Sequence, residues 1–316
     1  MQTQHILTNF KSTELRLKAP HKDIQTLLDA ASTLVKSAVE FQLSGVNVAV
    51  ANAMRRVLMS ELFVKSMYFD LDQFTTNDPF LIVDYIQSRI RQIPIHQSAE
   101  GDITLDVTAG DKPMKIFTKH LKTKQQKIFN PNIEICTLGA HFHLKINIKI
   151  TKMRGTDFGA NIISTGAVCL PLDQVPFSVA NETGVRSTMA DPHKFLIKFN
   201  TNGTDAPKTI LINVCNNIIN RVTHISKMPN LVKSQEALHA ITIPEETDTI
   251  GALITRTMFD LYGKQITYIN YFVKEYNNVC EIKFKYTAGD KDKMVESTFK
   301  KIIKTLEDIK SDVQHL

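Results

Sequence analysis

Cysteine is scarce in this 316-residue sequence, which has four, at positions 136, 169, 215 and 280, with no two close together. That spacing excludes CxxC metal knuckles and a dense disulfide framework. A reducing compartment therefore suits the chain best. Tryptophan is absent altogether, but its absence excludes no class of protein.

Long apolar runs are missing as well. No stretch of about 18 apolar residues occurs, and residues 1–20 have no apolar signal-peptide region. The sequence therefore predicts a soluble, intracellular protein without a membrane partner. Its composition, 43% hydrophobic and 22% charged, is typical of globular proteins, and its length leaves room for two or three domains. The net charge of +6 is a mild excess that only weakly favours nucleic acid as a partner.

Catalytic residue patterns are missing too. The glycine-containing segment 155–166 is not followed by the Lys-Ser or Lys-Thr pair of a phosphate loop. His141 and His143 share one face of a predicted strand, but no third metal ligand stands near them in the sequence. We therefore predict a non-enzymatic chain with no metal and no cofactor. The alternative is an enzyme with its site within 141–166, which would lose a defined activity when His143 is mutated.

The sequence does contain a repeat. Residues 39–60 and 239–260 align without a gap, and each copy is predicted to form a strand, a turn and a helix. Asn47 and Thr247 stand at equivalent positions, where each can cap its helix. A small residue near each helix start, Gly251 in the second copy, would let backbones approach closely. The sequence therefore predicts two copies of one module.

The helix of the first copy, residues 48–62, has an unusual surface. Arg55 and Arg56 stand side by side with Asn52 one turn earlier, and no carboxylate lies four residues away on the right face. Two interpretations stay open from the residues alone: the arginines bind a partner, or they are simply solvated. The opposite face is apolar at helical spacing and predicts a core contact through Val50, Met54, Val57, Leu58 and Leu62.

The C-terminal segment shows a second regularity. Seven apolar residues alternate in steps of four and three, which is typical of a heptad stripe that packs on another helix. They are Val295, Phe299, Ile302, Leu306, Ile309, Val313 and Leu316. We expect the partner within the same chain, in the predicted helix at 207–228. Elsewhere the patterns predict an extra helix at 21–38 and mostly strands between about 103 and 200, with the clearest strand at 141–151.

Three segments of the first two thirds of the chain resemble the alpha-like RNA polymerase subunits. This family includes the bacterial alpha subunit, the archaeal D-type subunit and the third subunit of eukaryotic polymerase II. Residues 39–61 resemble its A-N-A-L-R-R-type strand–turn–helix signature, and 78–96 resemble the helix that opens its inserted domain. Residues 133–171 resemble the stretch that carries an H-A-K-W-type motif, which is degraded here at 159–162. Because the CxxC pairs of some third subunits are missing, we expect no zinc.

The last third resembles the eleventh subunit of polymerase II, or the archaeal L-type subunit. Its T-L-G signature is matched at 249–251, whereas Asp248 and Ala252 replace a histidine and an asparagine. The arginine position of that signature carries Thr255, with Arg256 following. The heptad helix agrees with the long terminal helix of that subunit. The two resemblances together cover about residues 39–316.

The resemblance implies an α+β fold: two alpha-subunit-type dimerisation modules packed as an intramolecular pseudo-heterodimer, with a mostly β inserted domain. The expected boundaries are an N-terminal arm with the extra helix at 1–38, the first dimerisation module in two parts, 39–75 and 186–232, the inserted domain at 76–185, and an eleventh-subunit-like module at 233–316. Third- and eleventh-type subunits are separate chains in cells. Their fusion resembles RNA polymerases of large cytoplasmic DNA viruses, which implies the infected-cell cytoplasm and the virion as locations.

The function implied by the resemblance is that of a non-catalytic assembly platform of a multisubunit DNA-directed RNA polymerase. Its expected partners are the two largest polymerase subunits and small subunits of the tenth-subunit type. DNA would be reached only indirectly through the complex, and no homodimer is expected because each chain already holds both halves.

The resemblance also assigns site residues. Asn52, Arg55 and Arg56 are expected at the interface with the large subunits, and we expect Arg55→Ala/Arg56→Ala to weaken assembly without unfolding the chain. The intramolecular dimerisation contact is expected to use residues of both copies and of the terminal helix: Val50, Met54, Val57, Leu58, Ile250, Leu253, Ile254, Phe299, Ile302, Leu306 and Ile309.

A different class of function also stays open. The chain could be a free-standing basic module that binds nucleic acid directly through Lys145, Lys149, Lys152 and Arg154. Direct binding through several lysines would lose affinity steeply with salt, whereas a platform would hardly bind DNA at all. An alpha-like homodimer is a further alternative, against which the fusion argues.

Overall fold

A computed structural model describes residues 5–14, 37–95, 98–123, 131–154, 164–173, 192–201, 203–229, 231–235, 238–274, 276 and 279–316. In chain order its strands are β1 (Leu7–Glu14), β2 (Ser37–Ser44), β3 (Phe63–Tyr68), β4 (Phe74–Thr76), β5 (Asp102–Thr108), β6 (Met114–Phe117), β7 (Lys122–Thr123), β8 (Glu134–Leu138), β9 (His143–Arg154), β10 (Ser164–Pro171), β11 (Lys194–Thr201), β12 (Val232–Gln235), β13 (Leu238–Pro244), β14 (Ile266–Lys274) and β15 (Val279–Tyr286). Its α-helices are α1 (Val48–Arg56), α2 (Val83–Arg91), α3 (Pro207–Ser226), α4 (Asp248–Tyr262) and α5 (Lys291–His315). The predicted α+β class is confirmed.

Two sheets of four antiparallel strands share one topology. The first has the order β1-β2-β11-β10 and the second the order β12-β13-β15-β14. In each, two strands lead into a helix, α1 or α4, and two more strands lead into a longer helix, α3 or α5. The repeat seen in the sequence at the level of strand, turn and helix therefore extends over two whole modules, the first ending with α3 and the second with α5.

An inserted unit separates α1 from β10 in the first module. Its sheet has the order β3-β9-β5-β7, with β4 pairing to β9, and β6 pairs with β8 beside it. This pairing corrects the expected boundaries of 76–185, because β3 and β4 already belong to the inserted sheet and β10 belongs to the first module. Hydrogen-bonded strand partners decide which sheet a strand belongs to, and the hydropathy pattern of the sequence does not reveal those partners.

The N-terminal boundary is corrected in the same way. The expected arm contributes β1 to the first sheet, in antiparallel register with β2. The predicted helix at 21–38 lies outside the described residues, except that Ser37 and Ala38 begin β2.

Helix α1 begins as its sequence predicts. The Asn47 side-chain oxygen accepts a hydrogen bond of 3.0 Å from the Val50 amide and caps the first turn. A short π-helical segment, Val57–Glu61, continues α1 and ends at the extended residue Leu62. The cap predicted at Thr247 is wrong, since its side chain makes no capping bond and its hydroxyl is buried without a partner among the described residues.

Helix α5 supplies the ridge on which both modules pack. It lies against α3 and α4, so the predicted intrachain partner is confirmed. Its heptad residues from Val295 to Val313 are buried, whereas Leu316 is exposed and stands outside the stripe. The buried residues of both modules form one continuous core, and the inserted unit has a second core of its own.

The second module depends on one glycine for close packing. A β-carbon at Gly251, in the first turn of α4, would stand 2.6 Å from Cys280 Sγ and 2.7 Å from Tyr271 Cδ2. Both neighbours lie on the strands beneath the helix, so this glycine allows α4 to approach its sheet, as the sequence predicts.

We predict that Gly251→Ala lowers the free energy of unfolding. Alanine favours the helix by roughly 1 kcal/mol, but overpacking against Cys280 and Tyr271 costs about 1–3 kcal/mol. We expect the overpacking to dominate in urea denaturation. Gly110→Ala is the matched control, because a β-carbon there meets nothing within 4 Å. Equal stability of the two variants would refute the close-packing argument.

Strand β1 is tied to the far end of α5 by one carboxylate. Asp312 Oδ2 accepts hydrogen bonds from the amides of Ile6 at 2.6 Å and Leu7 at 2.9 Å, and Oδ1 lies 2.7 Å from His5 Nδ1. Partial burial alone would raise the pKa of Asp312, but the hydrogen bonds from Leu7, His5 and Ile6 lower it below its usual value.

This contact predicts a pH-dependent contribution to stability. A carboxyl whose pKa is lower in the folded state stabilises the fold above the unfolded-state pKa of about 4, and that contribution is lost as the pH falls through the folded-state pKa. Asp312→Ala should cost about 1–3 kcal/mol at pH 7 and less at pH 3. Urea denaturation at the two pH values checks this, and a cost independent of pH would contradict it.

Candidate functional site

The two modules meet through an antiparallel pair of helices, α1 and α4. At one end Asn47 Nδ2 donates a hydrogen bond of 2.7 Å to Asp260 Oδ2, and at the other Arg56 Nε donates one of 2.8 Å to Thr249 Oγ1. Each helix start therefore lies beside the end of its partner, as in a two-fold dimer. The structure places the predicted dimerisation residues in the one core that spans both modules: Val50, Met54, Val57, Leu58, Ile250, Leu253, Ile254, Phe299, Ile302, Leu306 and Ile309.

A buried ionic network joins the modules beside this helix pair. Arg221 of α3 donates hydrogen bonds to both oxygens of Glu246, in the turn before α4, and to Glu61 at the end of the π-helical segment. The second oxygen of Glu61 accepts from the hydroxyl of Thr249, which in turn accepts from Arg56. The donors and acceptors thus form one continuous chain across both modules.

The network is shielded from solvent. The side chains of Arg221, Glu61 and Glu246 are only 13%, 11% and 10% exposed. Burial alone would lower the pKa of Arg221, but hydrogen bonds and charges from Glu246 and Glu61 raise it above its usual value. Such a network is costly to break, because each remaining charge would stay buried without its partner.

Sequence reasoning missed this network. Glu61 and Glu246 lie 185 positions apart in the sequence, and only the fold brings them to the same guanidinium. One signal was present: Arg221 continues the helical spacing of Val214, Ile218 and Ile225, all of which are buried. A charge in line with a buried face indicates a buried partner.

The structure corrects the expected position of Arg56. The sequence pattern puts it, together with Arg55, opposite the apolar face of the helix. Instead it donates to Thr249 and lies 3.6 Å from Asp248 and 3.7 Å from Glu61, although its side chain stays 40% exposed. The antiparallel pairing explains this, because it brings the acidic first turn of α4 beside the last turn of α1.

Arg55 does lie on the outer surface. Its guanidinium contacts Asn52 Oδ1 at 3.2 Å and Met59 Sδ at 3.1 Å. Within the part of the chain that the structure describes, no carboxylate lies within ion-pair distance of it. Asn52 and Met59 are exposed. The three side chains therefore form a stripe that runs from α1 onto the π-helical segment.

The stripe borders an open groove of about 720 Å³ between α1, α4 and β14. We call it the inter-module groove, defined by Asn52, Arg55, Arg256, Phe259 and Tyr268. Phe259 is 48% and Tyr268 42% exposed, and Arg256 pairs with Asp260 at 2.8 Å. Arginine and exposed aromatic rings are the residues enriched at protein–protein interfaces. The groove therefore has the composition of a docking surface built from both modules.

The four cations of the alternative nucleic-acid surface do not share a face. Strand pairing puts Lys152 and Arg154 opposite Lys65 and Phe63 of β3, on the face that bears the inserted core. Lys145 and Lys149 lie on the other face, where Lys149 is 3.3 Å from Asp70. In a β-strand, side chains an odd number of positions apart point to opposite faces of the sheet. The predicted four-residue basic surface is therefore wrong.

His143 lies 2.9 Å from Asp106, and no cluster of three metal-ligating side chains is found among the described residues. Burial raises the pKa of Cys136 to about 11 and those of Cys215 and Cys280 to about 12, which makes these thiols poor nucleophiles at neutral pH. None of the described helices is long and apolar enough to span a bilayer.

The chain is similar in sequence to subunits of DNA-directed RNA polymerases. A family described as the RNA polymerase Rpb3/Rpb11 dimerisation domain matches residues 40–222. The DNA-directed RNA polymerase alpha subunits of Staphylococcus aureus strains Newman and N315 are 26% identical over 188 residues, and that of strain bovine RF122 is 25% identical. The match covers 55% of this chain and 59% of each relative, so the chain spans less than two thirds of their length.

We predict that Arg221→Ala destabilises the chain strongly, because two buried carboxylates lose the cation that they share. The expected loss is about 3–5 kcal/mol in the free energy of unfolding, measured by urea denaturation at pH 7. Lys300→Ala is the control, since Lys300 pairs with Glu296 on an exposed helix face and should cost at most about 0.5 kcal/mol. A loss below about 1 kcal/mol for Arg221→Ala would contradict the structural role given to the network.

Proposed function

Because the chain belongs to the RNA polymerase Rpb3/Rpb11 dimerisation domain family, we propose that it is a non-catalytic assembly-platform subunit of a multisubunit DNA-directed RNA polymerase. The observation that carries this proposal is the repeated module. Two copies with the same strand order meet through the antiparallel pair α1 and α4 and share one core. One chain would thus provide the dimer on which the two large catalytic subunits assemble.

The second module is proposed to be the counterpart of the eleventh subunit of polymerase II. It lies largely beyond the family match at 40–222, so its support is structural: the order of its elements and of its strands repeats that of the first module. A fused chain of this type is the basis for proposing an origin in a large cytoplasmic DNA virus, with the infected-cell cytoplasm and the virion as locations. Small subunits of the tenth-subunit type and indirect contact with DNA are proposed from the sequence resemblance alone.

The large subunits are proposed to dock at the inter-module groove. Arg55 supports this best, because its side chain is half-buried at the edge of the groove and lacks a carboxylate partner within the described chain. Its planar guanidinium suits bidentate contacts to carboxylates or backbone carbonyls. Asn52 lies within hydrogen-bond reach of it, and Phe259 and Tyr268 of the second module flank the same groove. Arg56 is proposed to contribute both to the fold and to docking. It donates a hydrogen bond to Thr249 within the chain, and part of its side chain stays at the surface.

The proposal is tested by native purification through a tag on this chain, from the cells that produce it. Mass spectrometry should find two very large chains at one copy each. A lone chain, or one that brings down nucleic acid without large subunits, would refute the platform function.

We predict different effects for the two neighbouring arginines. Arg55→Ala should leave the free energy of unfolding within about 0.5 kcal/mol of the native value, because Arg55 makes no ion pair among the described residues and lies at the border of an open groove. It should reduce recovery of the large chains and weaken their affinity about 10- to 100-fold, the range of an interface hot spot. Arg56→Ala should lower both stability and assembly.

Lys145→Ala removes an exposed charge that does not line the groove and serves as the control for net charge. Normal assembly of Arg55→Ala, or an equal defect in Lys145→Ala, would remove the groove as the docking surface.

A further inference from the structure

A second groove lies between α3 and the ribbon formed by β3 and β9. Its volume is about 480 Å³, and four asparagines of α3 form one wall: Asn213, Asn216, Asn217 and Asn220. Phe63, Lys65 and Lys152 stand opposite. We call it the asparagine groove. It lies outside the inter-module groove and contributes nothing to the proposed docking of the large subunits.

The asparagine wall is unusual for a solvated helix face. Asparagine is a poor helix former, and an exposed face is ordinarily built from lysine, glutamate or other strong helix formers. The spacing of three, one and three residues puts all four amides on one side of α3, over about 10 Å of helix axis. Residues that are unfavourable for their local structure, and that do not stabilise the fold in another way, are expected at functional sites.

Asn217 is the innermost of these asparagines. Its Nδ2 donates to the backbone oxygen of Glu61 at 3.4 Å, which fixes the orientation of the amide. Its Oδ1 is buried and accepts no hydrogen bond from the described residues. A buried acceptor without a donor is costly, so Asn217 is not explained by the packing of the described residues.

The opposite wall carries a partly exposed aromatic ring beside two cations. Phe63 is 44% exposed, and Lys152 Nζ and Arg154 Cζ lie 5.8 Å and 5.1 Å from its ring centroid. Lys65 is engaged with the backbone oxygen of Ala99 and with Glu100. Asp205 also lines the groove, so the groove combines two lysines with one carboxylate rather than forming a purely basic cleft.

We propose that the asparagine groove binds single-stranded nucleic acid. Each amide offers a donor beside an acceptor, which matches the edge of an unpaired base. The exposed face of Phe63 would stack one base, and Lys152 would meet a phosphate. We favour nucleic acid over a protein segment because amides of four asparagines make up one wall, with a lysine and an aromatic ring opposite. The proposal concerns a different surface from the assembly platform, and either can fail without the other.

The test measures binding of a fluorescein-labelled, mixed-sequence single-stranded RNA of about 12 nucleotides by fluorescence anisotropy, using the full chain. We expect a dissociation constant in the micromolar range at low salt. Contact with one phosphate through Lys152 predicts a slope of log K against log salt of roughly −0.7. Duplex RNA of the same sequence should bind at least tenfold more weakly, because its base edges are paired.

Three variants locate the site. Asn213→Ala/Asn216→Ala/Asn220→Ala should weaken binding at least tenfold while preserving the fold, since alanine favours the helix. Phe63→Leu should weaken it about 5- to 100-fold through loss of stacking. Lys152→Gln should weaken it, whereas Lys145→Gln, the same charge change at an exposed lysine on the other face of β9, should not.

Three results would overturn the proposal. They are absence of measurable binding at low salt, an equal loss for Lys145→Gln and Lys152→Gln, and unchanged binding in the triple asparagine variant. Protection of the asparagine groove by a protein chain in the purified complex, together with no RNA binding by the free chain, would assign the groove to a protein partner instead.

Discussion

The fold depends on one buried cation. Arg221 holds Glu61 of the first module and Glu246 of the second within the same shielded site, and the chain of hydrogen bonds continues through Thr249 to Arg56. Apolar packing alone would allow the two modules to slide along each other. A network that is satisfied in one arrangement only fixes how α1 and α4 are paired, and this is the role best supported for buried polar groups.

That arrangement also decides what faces outward. Because Arg56 is drawn to the first turn of α4, its neighbour Arg55 becomes the cation at the surface without a carboxylate partner in the described chain. The same pairing sets Phe259 and Tyr268 of the second module beside Arg55 of the first. The inter-module groove therefore exists only when the modules are joined, so the network inside the protein and the docking surface outside it are consequences of one geometry.

The sequence predicts well wherever a local pattern carries the information. The Asn47 cap, the heptad stripe of α5 and the small residue at Gly251 follow from spacing and residue type, and the structure confirms each of them. The sequence predicts poorly where the position of a residue depends on partners that are distant along the chain. Membership of β3 and β10 in their sheets depends on hydrogen bonds to β9 and β11, and the position of Arg56 depends on a helix about two hundred residues away. The buried network belongs to this second kind and was missed.

The central claim is that one chain holds both halves of an alpha-type dimer. Sedimentation equilibrium of the purified chain tests it most directly, over a range of protein concentrations at physiological salt. If the two modules satisfy each other within the chain, the mass will be that of a monomer, 35.7 kDa, at every concentration. A stable homodimer of twice that mass, lost when the α1 surface is mutated, would show that the modules pair between chains and would contradict the account.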